Sequence, residues 1–188
     1  MNKIFILLCA VLIALQLSAF AENKYVGVKT CGMCHKGEKK GAQFETWQKS
    51  KHAEAYKILT NAKSAEIARA RGLKKAANES PECLECHAIS ADPKLTADGV
   101  QCESCHGAGS AYKSLSIMKD KSKAIAAGLT IFKDEAAIQN QCITCHNEKS
   151  PCKKSFKYAA TWFQERWAKI KHPIPQGYSC FGINLSAC

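Results

Sequence analysis

The feature that most constrains this chain is a five-residue motif, Cys-x-x-Cys-His, that occurs four times. It occupies residues 31–35, 83–87, 102–106 and 142–146. Two cysteines three positions apart lie on one side of a helical turn, where both can form thioethers to the vinyl groups of a haem. The histidine that follows is then placed to bind the iron as its proximal ligand. The motifs therefore predict four covalently bound haem c groups.

The residues of these predicted sites fall into two chemical classes. The cysteines that would attach haem are Cys31, Cys34, Cys83, Cys86, Cys102, Cys105, Cys142 and Cys145. The proximal iron ligands would be His35, His87, His106 and His146. Paired Cys-x-x-Cys motifs also build structural zinc sites, but those do not require a histidine directly after the second cysteine. All four motifs have one, although the chain contains only six histidines, so the pattern favours haem.

The first 21 residues have the pattern of a secretory signal peptide. Lys3 supplies the basic start, an apolar run follows over residues 4–17, and Ala19-Phe20-Ala21 forms the cleavage site. A membrane anchor is the alternative, but the run is shorter than the roughly 20 residues that a bilayer requires. Cys9 could indicate a lipoprotein, but Leu8 before it is too bulky for that signal. We therefore expect an exported, periplasmic protein without a transmembrane anchor.

The formal net charge of +11 raises the possibility of nucleic-acid binding. That interpretation is disfavoured, because four haems would bring two propionates each and no basic-aromatic recognition motif is present. We expect the basic residues to pair with propionates and to attract redox partners, a donor and an acceptor, with acidic docking surfaces. The oligomeric state is left open.

The remaining chain is about one domain in length and reads as mainly α, with short helices and long loops wrapped around four packed haems. Residues 22–175 would form this tetrahaem domain and residues 176–188 an irregular tail. Because the haems would supply much of the core, the haem-free chain should be largely unfolded. Helices are predicted over residues 43–59, 64–71 (capped by Ser64), 114–127, 135–146 (capped by Asp134) and 155–171, with another starting at Ser80-Pro81.

Counting axial ligands shows a shortage. After four proximal histidines, only His52 and His172 remain, so at most two haems can have two histidine ligands. Methionine is the next usual ligand. Met33 is a poor candidate because it lies inside the first motif, whereas Met118 is a better one. One iron is still left, and it could take a lysine, a tyrosine or the amino terminus, or stay five-coordinate.

The chain resembles the tetrahaem cytochrome c-554 family. The resemblance rests on Tyr25-Val26-Gly27, on Trp47-x-x-Ser50-x-His52-x-x-Ala55, on the third motif followed by Gly107-x-Gly109-Ser110, and on Cys145-His146-Asn147 with a late His172-Pro173. It implies a helical periplasmic electron-transfer protein with closely packed haems. It also implies that His52 shares an iron with His146, that His172 shares one with His106, and that the iron on His87 is five-coordinate.

Two features depart from that family. The family's first haem takes a histidine that follows the third motif, whereas this chain has none there and places Met118 in about the right position, which makes a His35–Met118 pair plausible. Cys152, Cys180 and Cys188 are outside the haem motifs. Cys180 and Cys188 could form a disulfide in an oxidising compartment, which would leave Cys152 unpaired.

Three functions are therefore compatible with the sequence. The leading one is an electron carrier that passes electrons from haem to haem between redox proteins. The second is an enzyme that reduces a small nitrogen oxide such as nitric oxide at the open iron on His87, although no catalytic side chain can be assigned. The third is a subunit of a larger haem complex, in which a neighbouring chain supplies the missing ligand.

Overall fold

The computed structural model describes residues 22–89 and 92–150, except for the side chains of Lys40 and Glu135. The described part is helical and contains no strand, which confirms the mainly α fold class. Its α-helices are α1 (Val28–Gly32), α2 (Gln43–Gln48), α3 (Ala55–Ile58), α4 (Ala62–Ala70), α5 (Pro81–His87), α6 (Pro93–Thr96), α7 (Glu103–His106), α8 (Leu115–Met118), α9 (Lys121–Ala126) and α10 (Glu135–Cys142), with a 3-10 turn at Glu38–Lys40.

Short polar caps explain several of these boundaries. Asp134 accepts a hydrogen bond from the Ala137 N–H at 2.8 Å, which confirms the predicted start of α10. Helix α4 begins earlier than predicted, because Asn61 rather than Ser64 is its cap and accepts from the Ser64 N–H at 2.8 Å. Ser80 and Pro81 start α5 as predicted. However, the Ser80 hydroxyl donates to the Lys75 and Ala76 carbonyl oxygens instead of capping the helix.

Two predicted helices are interrupted. The helix expected over residues 43–59 is split into α2 and α3, and His52 lies in the turns between them. The helix expected over residues 114–127 is split into α8 and α9, because Asp120 caps a new helix by accepting from the Lys123 N–H at 3.1 Å. The stretch between the second and third motifs contains the short helix α6. The predicted helix over residues 155–171 and the tail over 176–188 lie outside the described residues.

The apolar core of the described part is small. One buried cluster consists of Leu59, Ala68 and Ala77, with Cys83 and Leu84 of α5 among the side chains packed against it. Of the ten buried hydrophobic residues, five are alanines. Within residues 22–89 and 92–150, none of the helices has both the length and the apolar character needed to cross a membrane. The short helices are therefore held mainly by caps and by loop contacts around the four motifs.

Candidate haem sites

The four Cys-x-x-Cys-His motifs adopt the same kind of helical turn. In the third motif, the Cys102 carbonyl oxygen accepts from the N–H groups of Cys105 at 3.1 Å and His106 at 3.0 Å. The first motif repeats these bonds at the end of α1, the fourth repeats them at the end of α10, and the second lies inside α5. All eight cysteines are partly exposed free thiols. This turn places both sulfurs and the imidazole on one side, so the residues fit a covalently attached haem.

The motifs also form a continuous series in space, in the order first, third, fourth, second. The Cys31 thiol hydrogen-bonds with Cys102, which raises the pKa of Cys31. Burial, aided by the nearby Cys142 and Cys145 thiols, raises the pKa of Cys105 to about 11. Burial and then the neighbouring Cys145 thiol raise the pKa of Cys86 to about 12. Each attachment site therefore lies beside the next one in this order.

The histidines of the second and third motifs are each anchored through one ring nitrogen. His87 Nδ1 lies 2.8 Å from the Ala55 carbonyl oxygen, and His106 Nδ1 lies 2.9 Å from the Thr130 carbonyl oxygen. A carbonyl oxygen can only accept a hydrogen bond, so Nδ1 must donate, and in the neutral ring Nε2 then keeps its lone pair. This tautomer, held by a backbone carbonyl, is the usual arrangement of an imidazole that binds a metal through Nε2.

His52 lies opposite the histidine of the fourth motif. The ring centroids of His52 and His146 are 6.2 Å apart and the rings are inclined by 48°. Two imidazoles that bind one metal from opposite sides have centroids about 6 Å apart, because each nitrogen lies about 2 Å from the metal and roughly 1 Å from its ring centre. Although part of each residue is exposed, desolvation lowers the pKa of His52, and His146 lowers it further. Both effects favour the neutral form that a ligand requires.

A segment distant in sequence fixes the position of His52. The Trp47 indole N–H donates to the Val100 carbonyl oxygen at 2.8 Å. The Val100 N–H donates in turn to the His52 carbonyl oxygen at 3.0 Å. Gly99 packs so closely here that a Cβ on it would lie 2.6 Å from the same oxygen. The turn that interrupts the predicted helix is therefore held by the residues just before the third motif.

Replacing Gly99 by alanine should displace His52. Gly99 has a φ of +69°, and its Cβ would meet the His52 carbonyl, so we expect Gly99→Ala to cost about 1–3 kcal/mol of stability and to alter the spectrum of one haem. Gly72→Ala is a matched control, because Gly72 has a φ of +68° and open space around it. Thermal unfolding and optical spectra measure both effects. Equal losses in the two variants would show that the contact with His52 is unimportant.

The stretch of chain that contains His52 also supports the second motif. The buried Ala55, three residues after His52, provides the carbonyl that anchors His87. Neither Ala55, Val100 nor Thr130 was singled out from sequence as part of a site, because backbone atoms carry these contacts. Only the position of Ala55 within the Trp-Ser-His-Ala pattern offered a signal.

The remaining candidate ligands are less closely tied to the motifs. Met118 ends α8 and is partly buried, so its pairing with His35 stays a prediction. Met33, the poorer candidate, is 73% exposed. His172 and the three additional cysteines, Cys152, Cys180 and Cys188, lie outside the described residues.

Comparison with known proteins gives two matches. The sequence model of the family described as "Cytochrome c554 and c-prime" matches residues 30–107, which include the first three motifs. The cytochrome c-554 of Nitrosomonas europaea is 30% identical over 107 residues, which is 51% of this chain and 43% of that protein, so the chain matches less than half of its relative's length. No solved structure matches. The predicted resemblance to the cytochrome c-554 family is thus confirmed over residues 30–107.

Proposed function

We propose that this chain is a periplasmic c-type cytochrome that carries four covalently bound haems and transfers electrons between redox proteins. The observation that carries this proposal is the unbroken series of attachment sites. Cys31 lies beside Cys102, Cys105 beside Cys142 and Cys145, and Cys145 beside Cys86. The similarity to a cytochrome c-554 supports the same class of protein.

When bound, haem supplies a one-electron iron couple, and the polypeptide sets its spacing, orientation and potential. The series of sites would give electrons a path in the order first, third, fourth, second. The first and second sites stand at the two ends of this series. We infer that donor and acceptor approach these two ends.

The proposed axial ligands rest on the ligand count, on one observed contact and on the family resemblance. We assign His52 as the second ligand of the iron on His146, supported by their 6.2 Å separation. By family resemblance, His172 would serve the iron on His106, and Met118 would serve the iron on His35. That leaves His87 as the sole protein ligand of an open iron, with its Nδ1 fixed by the Ala55 carbonyl.

Surface charge supports a role in docking acidic partners. Lysines 119, 121 and 123 are exposed around α9, and Lys123 forms an ion pair with Asp120 at 3.2 Å. We propose that residues 1–21 direct export as a cleaved signal peptide.

The proposal predicts four haems per chain and one high-spin iron. A haem assay on the purified protein should give four equivalents, and reductive titration should proceed reversibly in more than one step. Low-temperature electron paramagnetic resonance of the oxidised protein should show three low-spin irons and one high-spin iron. Fewer than four haems would refute the tetrahaem assignment, whereas wholly low-spin spectra would refute only the open iron.

A second candidate function is reduction of a small nitrogen oxide at the iron on His87. The shortage of ligands favours it, because six histidines and Met118 supply only seven of the eight axial positions on four irons and so leave one iron open to an exogenous ligand. Mixing the reduced protein with nitric oxide distinguishes the two functions. Fast reoxidation over repeated cycles would support the enzyme, whereas stoichiometric binding without turnover would leave electron transfer as the function. A shift from high-spin to low-spin at increasing protein concentration would indicate a ligand from a neighbouring chain.

A further inference from the structure

A buried carboxylate lies between the two cysteines of the third motif. Glu103 is 2% exposed and is among the largest fully buried side chains of the described residues. Its Oε1 accepts from the N–H groups of Gly109 at 2.6 Å and Val26 at 3.0 Å. Its Oε2 accepts from the N–H groups of Gly27 at 2.7 Å and Val26 at 3.1 Å. Each of these contacts is made by a backbone N–H donor. This arrangement suits the ionised form of the Glu103 side chain, because an ionised carboxylate only accepts hydrogen bonds.

The amide groups around Glu103 come from two segments that flank different motifs. Val26 and Gly27 lead into α1 and the first motif, whereas Gly109 follows the third motif. Gly27 has a φ of +81°, and a Cβ on Gly109 would lie 2.8 Å from Glu103 Oε1. Glycine is therefore required at both positions for the backbone to approach the carboxylate this closely. The arrangement is a built anion cradle that happens to be filled by a side chain of the protein itself.

The cradle holds the first and third attachment sites together. The Cys31 thiol contacts Cys102, the residue directly before Glu103. Gln101 adds a neutral contact of the same kind, because its Oε1 accepts from the Val28 N–H at 2.6 Å and its Nε2 donates to the Leu95 carbonyl oxygen. Glu103 is thus placed beside both haem attachment sites, and its carboxylate oxygens accept hydrogen bonds from neutral backbone amides.

We propose that Glu103 is a positioning residue that fixes the first haem site against the third and lowers the reduction potentials of both irons through its charge. The inference rests on the proposed function, since it requires haem at both sites. A negative charge stabilises the more positive, oxidised iron, and a buried charge is poorly screened by salt. The first and third irons would then be the poorer electron acceptors, which directs electrons towards the fourth and second sites.

Three variants separate the charge from the packing. Glu103→Gln keeps the size of the side chain but removes the charge and turns an amide N–H₂ towards backbone donors. Glu103→Asp keeps the charge but is too short to reach both segments. Gln101→Leu weakens the anchoring of the same first segment without any change of charge.

The experiment is a spectroelectrochemical titration of each purified holoprotein, with haem content and melting temperature measured alongside. In Glu103→Gln, two of the four potentials should move to more positive values and two should stay unchanged. Glu103→Asp should melt at a lower temperature with potentials near those of the original protein, and Gln101→Leu should behave likewise. A reversible titration of the unchanged protein with four haems tests the proposed function separately.

Two results would overturn the inference. The first is a fully loaded Glu103→Gln protein with all four potentials unchanged. The second is an equal shift of potentials in Glu103→Asp or Gln101→Leu, which would show that packing rather than charge is responsible. If Glu103→Gln matures with incomplete haem, its fully loaded fraction is purified and compared with Glu103→Asp: two more positive potentials in Glu103→Gln alone sustain the inference, and equal potentials in the two variants refute it.

Discussion

A chain prepared without haem should be unfolded at 25 °C, with a free energy of unfolding at or below zero. Replacement of all eight motif cysteines by alanine, with production in the cytoplasm, would provide such a chain. We expect its far-ultraviolet circular dichroism to lack most of the helical signal and its thermal scan to show no cooperative transition. The holoprotein measured under the same conditions is the reference.

The physical reason for this expectation is the lack of apolar core. Half of the ten buried hydrophobic residues in the described part are alanines, whose burial contributes little free energy. The longest helix described, α4, has nine residues, which is too short to be stable alone in water. Its partners Leu59, Ala77 and Cys83 include a haem cysteine, so even the one apolar cluster depends on an attachment site. The conformational entropy of the chain then outweighs what the polypeptide can bury by itself.

The amount of retained structure would decide this prediction. Helix formation by the haem-free chain on addition of helix-promoting alcohol is expected and does not test this prediction. A cooperative thermal transition in plain buffer would contradict it, because it would show that side-chain packing alone supports the fold. Variants that lack the cysteines of only one motif should have a helical content between that of the haem-free chain and that of the holoprotein.

The sequence predicted the local parts of the sites better than the parts that depend on distant contacts. The four motifs, the cap at Asp134 and the mainly α class all rest on spacing within a few residues, and these are found in the structure. The uninterrupted helix over residues 43–59 was wrong. Its periodicity was compatible with a helix, but the hydrogen bond from Val100 to the His52 carbonyl stabilises a turn instead. No pattern within residues 43–59 could reveal a donor that lies 48 positions further along the chain.

Glu103 shows a second limit of sequence reasoning. It occupies a variable position of a haem motif, where a charged residue suggests an exposed side chain, yet it is almost completely buried. Two glycines make this burial possible: Gly27, which precedes the first motif, and Gly109, which follows the third. Gly109 follows the third motif, but nothing in the sequence links it to Gly27. The carboxylate and its cradle become recognisable only when both segments are brought together.

Removal of the His52 side chain should convert one low-spin haem to high-spin. The scaffold around it should remain intact, because the hydrogen bond that holds this turn uses the His52 carbonyl oxygen rather than its ring. In His52→Ala, the electron paramagnetic resonance spectrum should lose one of its low-spin signals and gain one high-spin iron per chain. Added imidazole should enter the space left by the ring and restore the low-spin signal.

The control for this variant is Lys51→Ala, one position earlier. Lys51 is exposed and pairs only with Glu54 among the described ion pairs, at 3.1 Å, so its loss should leave all four spin states unchanged. If His52→Ala keeps the same low-spin count, His52 is not a ligand and its proximity to His146 is incidental. If the count changes but imidazole does not restore it, the ring acts by packing. A restored signal would establish that the iron on His146 takes its second ligand from His52, a residue 94 positions away that the Gly99–Val100 segment places beside it.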